Sequence, residues 1–109
     1  MRRVILESPY AGATEENIAY ACRCMRGSLA RGEAPFASHL LYTHPGILDD
    51  MIAADRMHGI AAGQAWLLVA EACVVHTDMG VSEGMACGIV AAQAADVPVE
   101  HRTIGPWLR

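Results

Sequence analysis

Residues that could bind a small molecule follow three apolar runs of the chain. Glu7-Ser8-Pro9-Tyr10-Ala11-Gly12 follows the first run, Thr43-His44-Pro45-Gly46 the second, and Asp78-Met79-Gly80-Val81-Ser82-Glu83-Gly84 the third. In open α/β sheets, ligands bind at the carboxyl ends of the strands, near the point where the strand order reverses. If the three runs are parallel strands, the three loops meet there and form one ligand site.

The third loop leads into a predicted helix that Ser82 would cap. The free backbone N–H groups of a helix N-terminus favour anions such as phosphate, and the Ser82 hydroxyl could contact the same anion. Gly80, Gly84 and Met85 belong to the same predicted site. The alternative is that Ser82 is only a helix cap and Gly80 only a turn residue.

Two carboxylates close predicted strands, and both are candidates for catalysis, although no catalytic residue can be assigned. Asp78 could accept a ribose hydroxyl as a ligand group, or bind loop amides as a structural group. Glu7 is harder to explain as a structural residue, because it ends a buried strand inside the expected cleft. We therefore expect Glu7 to contact the ligand.

Aromatic and imidazole groups complete the set. Tyr10 and Trp66 could stack on a base, and the alternative for Trp66 is a position in the core. His39, predicted in the second strand, and His44, in the loop after it, are candidate ligand or acid–base groups, or else ordinary polar residues. The predicted ligand-binding residues are therefore Glu7, Ser8, Tyr10, Gly12, His39, His44, Asp78, Gly80, Ser82, Gly84 and Met85.

The elements that must position these loops alternate between strand and helix. Strands are predicted at 3–7, 35–42, 73–78 and 97–104, and helices at 14–31, 49–72 and 82–95. Such alternation specifies right-handed βαβ crossovers and a parallel sheet. We therefore predict an α/β fold, a three-layer Rossmann-like (flavodoxin-like) parallel sheet of about four strands with flanking helices. Residues 1–109 would form a single domain.

Composition restricts the class of protein. Hydrophobic residues make up 53% of the chain and charged residues 18%, which argues against disorder. The net charge of −4, without any basic block, argues against nucleic-acid binding. No apolar run approaches the roughly 20 residues of a membrane span, so we expect no membrane association and a cytoplasmic location. The apolar excess of so short a chain predicts a homodimer or a higher homo-oligomer.

The four cysteines are expected to be free, buried thiols. None forms a CxxC pair, and Cys22 and Cys24 would point to different sides of a helix, whereas zinc needs ligands that converge. We expect neither a metal nor a cofactor.

Four stretches carry a resemblance to a known family. They are Glu-Ser-Pro-Tyr-Ala-Gly at 7–12, Arg-Gly-Glu-Ala-Pro-Phe-Ala-Ser-His-Leu-Leu-Tyr at 31–42, Gly-Ile-Ala-Ala-Gly-Gln-Ala-Trp at 59–66 and Thr-Asp-Met-Gly-Val-Ser-Glu-Gly-Met at 77–85. With them the chain resembles the nucleoside 2-deoxyribosyltransferase-like superfamily, and within it a small uncharacterised branch common in phages and actinobacteria. The resemblance implies a nucleotide-like ligand.

The resemblance also implies where the transferase carboxylates should stand. The attacking glutamate, four residues after the glycine of the third loop, falls on Gly88, and the assisting aspartate, three residues before Trp66, falls on Gly63. Neither glycine can act as nucleophile or acid, and glycines at both positions would leave room for a bulkier ligand. In one interpretation the pocket binds a nucleotide or a nucleotide-derived ligand without glycosyl chemistry, as a phage protein that sequesters a nucleotide signal would. In the other, the protein is an N-glycosidase or deoxyribosyltransferase of nucleoside 5′-monophosphates that uses other carboxylates.

Overall fold

The computed structural model describes residues 1–105. A four-stranded sheet is formed by β1 (Arg2–Glu7), β2 (Glu33–Phe36), β3 (Ala72–His76) and β4 (Val99–Arg102). The helices are α1 (Thr14–Ala30), α2 (Ser38–Leu41), α3 (Ala53–Ala65) and α4 (Glu83–Ala94), and a 3₁₀ turn, Trp66–Val69, follows α3. All neighbouring strands are parallel, in the order β2-β1-β3-β4. The predicted Rossmann-like α/β architecture is confirmed.

Strand alternation divides the core into two layers. Val4 and Leu6 of β1 pack on the face that α1 covers, together with Tyr20 and Cys24 of that helix. Ile5 lies on the opposite face, in a cluster that includes Met85 of α4 and Leu67 of the 3₁₀ turn. Because successive side chains of a strand point to opposite faces, the residue two positions after Ile5 also lies on the α4 face. That residue is Glu7.

Several predicted boundaries need correction. The second strand ends at Phe36, and His39 lies in the short helix α2. Pro35 stands on β2, an edge strand, where its missing N–H costs no ladder hydrogen bond. The predicted helix over 49–72 is divided into α3 and the 3₁₀ turn. Helix α1 is preceded by Ala13 as its N-cap, without a side-chain cap, whereas Ser82 caps α4 as predicted.

The cysteines are all free, but they are not all buried. Cys24 and Cys73 are buried, whereas Cys22 and Cys87 are exposed. Cys22 and Cys24 therefore do lie on different sides of α1, as the sequence predicted. Within residues 1–105, no group of three or more histidine, cysteine, aspartate or glutamate side chains is arranged to hold a metal ion.

Ion pairs bind the strands together on the α1 face. Both terminal nitrogens of the Arg102 guanidinium donate to the carboxylate of Glu33, at 2.7 and 2.8 Å. Arg2 pairs with Glu33 and with Glu100. The Arg102 hydrogen bonds lower the pKa of Glu33 to about 2, so this network stays ionised at neutral pH. The network joins β1, β2 and β4 on the face that α1 covers, which indicates a structural role.

No helix in the described part of the chain is both long and apolar enough to cross a membrane.

Candidate functional site

A cleft of about 470 Å³ lies at the carboxyl end of β1, between this strand, α2, α3 and the start of α4. In the strand order β2-β1-β3-β4, the chain reverses its winding between β1 and β3, so this is the topological switch point of the sheet. The volume lies within the range usual for small-molecule pockets. The predicted residues that line it are Glu7, Ser8, Tyr10, His39, Ser82, Gly84 and Met85.

Glu7 projects from the end of β1 against helix α4. A Cβ atom built on Gly88 would lie 2.4 Å from Glu7 Oε2 and 2.5 Å from its Cδ, closer than any real contact. Residue 88 therefore has to be glycine while the Glu7 carboxyl group occupies this position. The sequence argument expected the two glycines to leave room for a bulkier ligand. The structure corrects this expectation at Gly88, because the Glu7 carboxyl group takes the space.

Burial changes the ionisation of Glu7. Desolvation raises its pKa from the ordinary value of 4.5 to about 7. Within residues 1–105, Glu7 forms neither an ion pair nor a hydrogen bond that would compensate for this burial. The group is consequently close to half protonated at neutral pH, and its oxygens are available to a ligand.

Gly63 plays a similar packing role on α3. A Cβ atom at this position would lie 2.7 Å from both Cβ and Oγ of Ser38. The glycine thus allows α3 to approach α2 closely, and the Ser38 side chain fills the space that a side chain at residue 63 would need. Both positions at which the transferase resemblance implies carboxylates are therefore filled by side chains of neighbouring elements.

Ser8 and His39 form a hydrogen-bonded pair on the cleft wall. Ser8 Oγ lies 2.7 Å from His39 Nε2, and Ser8 is buried. Burial lowers the pKa of His39 to about 4, so its imidazole is neutral at physiological pH. The ring of Tyr10 meets the His39 ring edge-on, with their centroids 6.3 Å apart. This wall offers neutral hydrogen-bonding groups and an aromatic surface.

Hydrogen bonds between Ser82 and Met85 partly satisfy the backbone N–H groups at the N-terminus of α4. The backbone N–H of Met85 donates to Ser82 Oγ at 3.3 Å, and the backbone N–H of Ser82 donates to Met85 Sδ at 3.4 Å. The Ser82 hydroxyl therefore caps the helix, and Ser82 also lines the cleft. Glu83 stands in the first turn, where its negative charge stabilises the helix and opposes a bound anion.

The charges around the cleft are mostly negative. Besides Glu7, its described lining contains Asp50, Asp55 and Glu83, against one arginine, Arg56. Asp55 Oδ2 accepts a hydrogen bond from the backbone N–H of Asp49 at 2.9 Å. The lining as a whole would repel a highly charged anion.

Four predicted residues do not line the cleft. Gly12 and Gly80 are turn residues with φ of +94° and +84°, in the left-handed region that favours glycine. His44 bonds its neighbour Pro45, with Nδ1 3.1 Å from the carbonyl oxygen. Asp78 lies beyond the end of β3 and faces α1, away from the cleft.

Asp78 has a structural role that its contacts define. Its Oδ1 accepts a hydrogen bond from the Tyr20 hydroxyl at 2.5 Å, and the backbone N–H of Ile104 donates to both carboxylate oxygens at 3.1 Å. Burial, and then the bond to Asp78, raise the pKa of Tyr20. The aspartate thus joins the loop after β3 to helix α1 and to the segment after β4.

Asp78→Asn is expected to destabilise the protein without changing ligand affinity. In asparagine an amide nitrogen would replace Oδ2, so a donor would face the backbone N–H of Ile104, and the remaining oxygen would accept from Tyr20 and Ile104 without its negative charge. We expect a cost of about 1–3 kcal/mol. Urea unfolding measures this cost, and calorimetric titration measures affinity. A variant of wild-type stability with clearly weakened ligand binding would contradict this assignment and return Asp78 to the site.

Trp66 belongs neither to the core nor to the cleft lining. It is 46% exposed, stacks at a tilt on Phe36 with ring centroids 5.2 Å apart, and donates from Nε1 to the Tyr42 hydroxyl at 3.1 Å. Tyr42 itself lines the cleft. Trp66 therefore supports the cleft wall from outside.

Apart from His39 and Gly63, sequence reasoning missed the residues of α2, of the segment after it and of α3 that line the cleft. Ser38, Tyr42, Asp55 and Arg56 line it, and none of them stands in the three loops. The sequence pattern that could have indicated this contribution of α3 is the pair Gly59 and Gly63, four residues apart. Their common helix face lines the cleft, which also shows how α3 is oriented.

These features define a Rossmann-like α/β protein with a small-molecule cleft at its switch point. The chain belongs to the family described as domain of unknown function DUF7768, whose sequence profile matches residues 2–102. The fold is similar to the structure of a 2-deoxyribosyltransferase from the psychrotolerant bacterium Bacillus psychrosaccharolyticus, with a TM-score of 0.65 and 15% sequence identity. The match covers 98% of this chain and 77% of that one. No curated protein matches the sequence.

Proposed function

We propose that this protein binds a nucleoside-like small molecule in the cleft, with Glu7 as its central contact. The observation that carries the proposal is the Glu7 carboxyl group, which is half-buried against Gly88 at the cleft and has no protein partner among the described residues. The protein removes part of the hydration of this group without supplying a hydrogen bond in return. A ligand that hydrogen-bonds to Glu7 would supply that bond.

The form of the cleft suits a base joined to a sugar. Tyr10 and Tyr42 offer aromatic faces for a flat ring, and Ser8 and His39 offer neutral donors and acceptors for hydroxyl groups. The likeness to a 2-deoxyribosyltransferase fold supports the same class of ligand, although at 15% identity it concerns the fold alone. Nucleosides therefore combine the shape and the chemistry that the lining favours.

The charges favour an unphosphorylated ligand. The carboxylates of Asp50, Asp55 and Glu83 outnumber the one guanidinium of Arg56 in the described lining. Each like-charge contact at about 4 Å costs on the order of 1 kcal/mol in water and more where water is excluded. We therefore propose a nucleoside rather than a nucleotide as the ligand. This proposal replaces the phosphate site that the sequence suggested at the N-terminus of α4. A role in sequestering a phage nucleotide signal remains a prediction.

A second candidate is cleavage of an N-glycosidic bond, and the position of Glu7 favours it. The Glu7 carboxyl group occupies the space that a side chain at residue 88 would enter, so a carboxylate is available there from a different strand. An ionised Glu7 oxygen would bond to the anomeric carbon as the base departs with the electron pair of the glycosidic bond and takes a proton from water. A second water would then bond to the anomeric carbon and lose a proton to solvent, while the bond to Glu7 breaks and its electron pair returns to the carboxylate.

A nucleoside panel distinguishes the two candidates. Purified protein is incubated with ribo- and deoxyribonucleosides and with their 5′-monophosphates, and thermal shift and chromatography of free base are recorded. Binding predicts a rise in melting temperature with a nucleoside, a smaller rise with its monophosphate, and no base release. Base release that Glu7→Ala removes would establish the enzyme. If no compound at millimolar concentration raises the melting temperature or releases free base, both candidates are contradicted.

A further inference from the structure

The carboxylates that line the cleft are not neutralised by the protein. Asp50, Asp55 and Glu83 share the described lining with a single guanidinium, that of Arg56. Within residues 1–105, none of these three carboxylates forms an ion pair with Arg56 or with another cation. Asp55 and Glu83 also stabilise the first turns of α3 and α4, but their negative potential acts on the cleft in either case.

Two tyrosine rings line the same cleft. Tyr10 lies in the loop after β1, and Tyr42 directly follows α2. Both are half-buried, and the Tyr42 hydroxyl is held by the hydrogen bond from Trp66. The face of an aromatic ring is its negative side, and it attracts a cation that lies within about 6 Å of the ring centroid. The tyrosines therefore favour a flat group, and more so a flat group with a positive charge.

The cleft also lacks the proton donor that a neutral base would need in order to leave a sugar. Gly63 stands where the resemblance implies the assisting aspartate, and Ser38 fills the adjoining space. His39, the histidine of the described lining, is neutral at physiological pH, because burial lowers its pKa to about 4. A base with a positive charge on the nitrogen of the glycosidic bond departs as a neutral molecule and needs no proton.

We propose that the cleft binds a nucleoside whose base carries a fixed positive charge at the nitrogen of the glycosidic bond, that is, a pyridinium riboside. This inference rests on the proposed function and names the class of nucleoside. The unpaired carboxylates and the tyrosine rings favour a cationic ring, and the same carboxylates disfavour a phosphate group. Ser8 and His39 remain available to the sugar hydroxyl groups.

Cleavage of such a ligand would need fewer groups than cleavage of a neutral nucleoside. An ionised Glu7 oxygen would bond to the anomeric carbon as the carbon–nitrogen bond breaks, and the electron pair of that bond would neutralise the pyridinium ring. A water would then bond to the anomeric carbon and lose a proton to solvent, while the bond to Glu7 breaks and its electron pair returns to the carboxylate. The products are the free sugar, the neutral pyridine and one proton.

The test compares nicotinamide riboside with benzamide riboside, a neutral analogue in which carbon replaces the ring nitrogen. The two compounds have nearly the same shape, so the difference between their dissociation constants measures the effect of the charge. In calorimetric titrations of the wild-type protein, we expect nicotinamide riboside to bind at least about tenfold more tightly. This preference should fall several-fold between about 50 and about 500 mM NaCl, because salt screens exposed charges.

Variants identify the side chains responsible for the preference. The triple variant Asp50→Asn, Asp55→Asn, Glu83→Gln should bind nicotinamide riboside about tenfold more weakly than wild type, and benzamide riboside equally well. The matched control is Glu15→Gln, which removes a carboxylate from the first turn of α1, outside the described lining, and should keep the wild-type preference. The salt dependence of wild type needs no variant and decides the question if the triple variant fails to fold.

Two results would overturn the charge preference alone. One is benzamide riboside binding as tightly as nicotinamide riboside, or more tightly. The other is a preference that persists both at high salt and in the triple variant. In both cases the proposed function stands if the neutral nucleosides of the panel bind. If no nucleoside, charged or neutral, binds at millimolar concentration, the proposed function and this inference are both contradicted.

Discussion

Gly88→Ala is expected to weaken ligand binding by about ten- to a hundredfold while the protein remains folded. The new Cβ would lie 2.4 Å from Glu7 Oε2, so the carboxyl group has to leave its position beside α4. It stands at the end of a flexible side chain and can rotate without moving β1. The expected loss corresponds to roughly 1.5–3 kcal/mol for a hydrogen bond to an ionisable group. Calorimetric titration with a nucleoside measures it.

Two variants separate this effect from helix propensity. Gly27→Ala is the matched control in α1, where a Cβ would have no atom within 4 Å, and it should stabilise the protein by up to about 1 kcal/mol. In a Glu7→Ala background, Gly88→Ala should likewise become stabilising, because the conflicting carboxyl group is gone. Strictly additive unfolding free energies for Glu7→Ala and Gly88→Ala would show that the two positions do not interact.

Glu7→Gln is expected to stabilise the protein above pH 7. Burial raises the folded-state pKa of Glu7 from 4.5 to about 7, so between these values the native state holds a proton that the unfolded chain has lost. The free energy of unfolding therefore falls as pH rises from about 4.5 to 7, and it levels off above. The fall is at most about 3 kcal/mol at 1.36 kcal/mol for each pH unit. Glutamine has no proton to lose and should abolish it.

Urea unfolding between pH 4.5 and pH 8 measures this difference. At pH 8, Glu7→Gln should exceed wild type by about 2–3 kcal/mol, and near pH 4.5 the two should be similar. Glu15→Gln, at an exposed position of α1, is the control and should keep the wild-type decline. A wild-type stability that is flat between pH 4.5 and pH 7 would show that Glu7 ionises as it does in water.

Local patterns were sufficient to predict the architecture. Alternating apolar runs and helical segments predicted the parallel sheet, and the position of Ser82 before a helical segment predicted the cap of α4. The first loop was placed correctly because it directly follows β1 at the switch point. Asp78 was assigned to the site by the same argument, and the structure places it against Tyr20 on the other side of the sheet.

The remaining features depend on contacts between residues far apart in sequence. The approach of Glu7 to Gly88 joins β1 to α4, and the approach of Ser38 to Gly63 joins α2 to α3. The spacing of residues along the chain does not indicate such contacts. A glycine in a helix indicates close packing, but the side chain that fills the space is seen only in the folded protein.

A crystal structure of the protein with a deoxynucleoside at pH 6 tests the central claim most directly. At this pH most of Glu7 is protonated, so its carboxyl group can both donate and accept a hydrogen bond. We expect the nucleoside in the cleft, with one of its oxygen or nitrogen atoms within about 3.2 Å of a Glu7 oxygen. A nucleoside bound elsewhere on the chain, or a cleft that stays empty at millimolar nucleoside, would contradict the assignment.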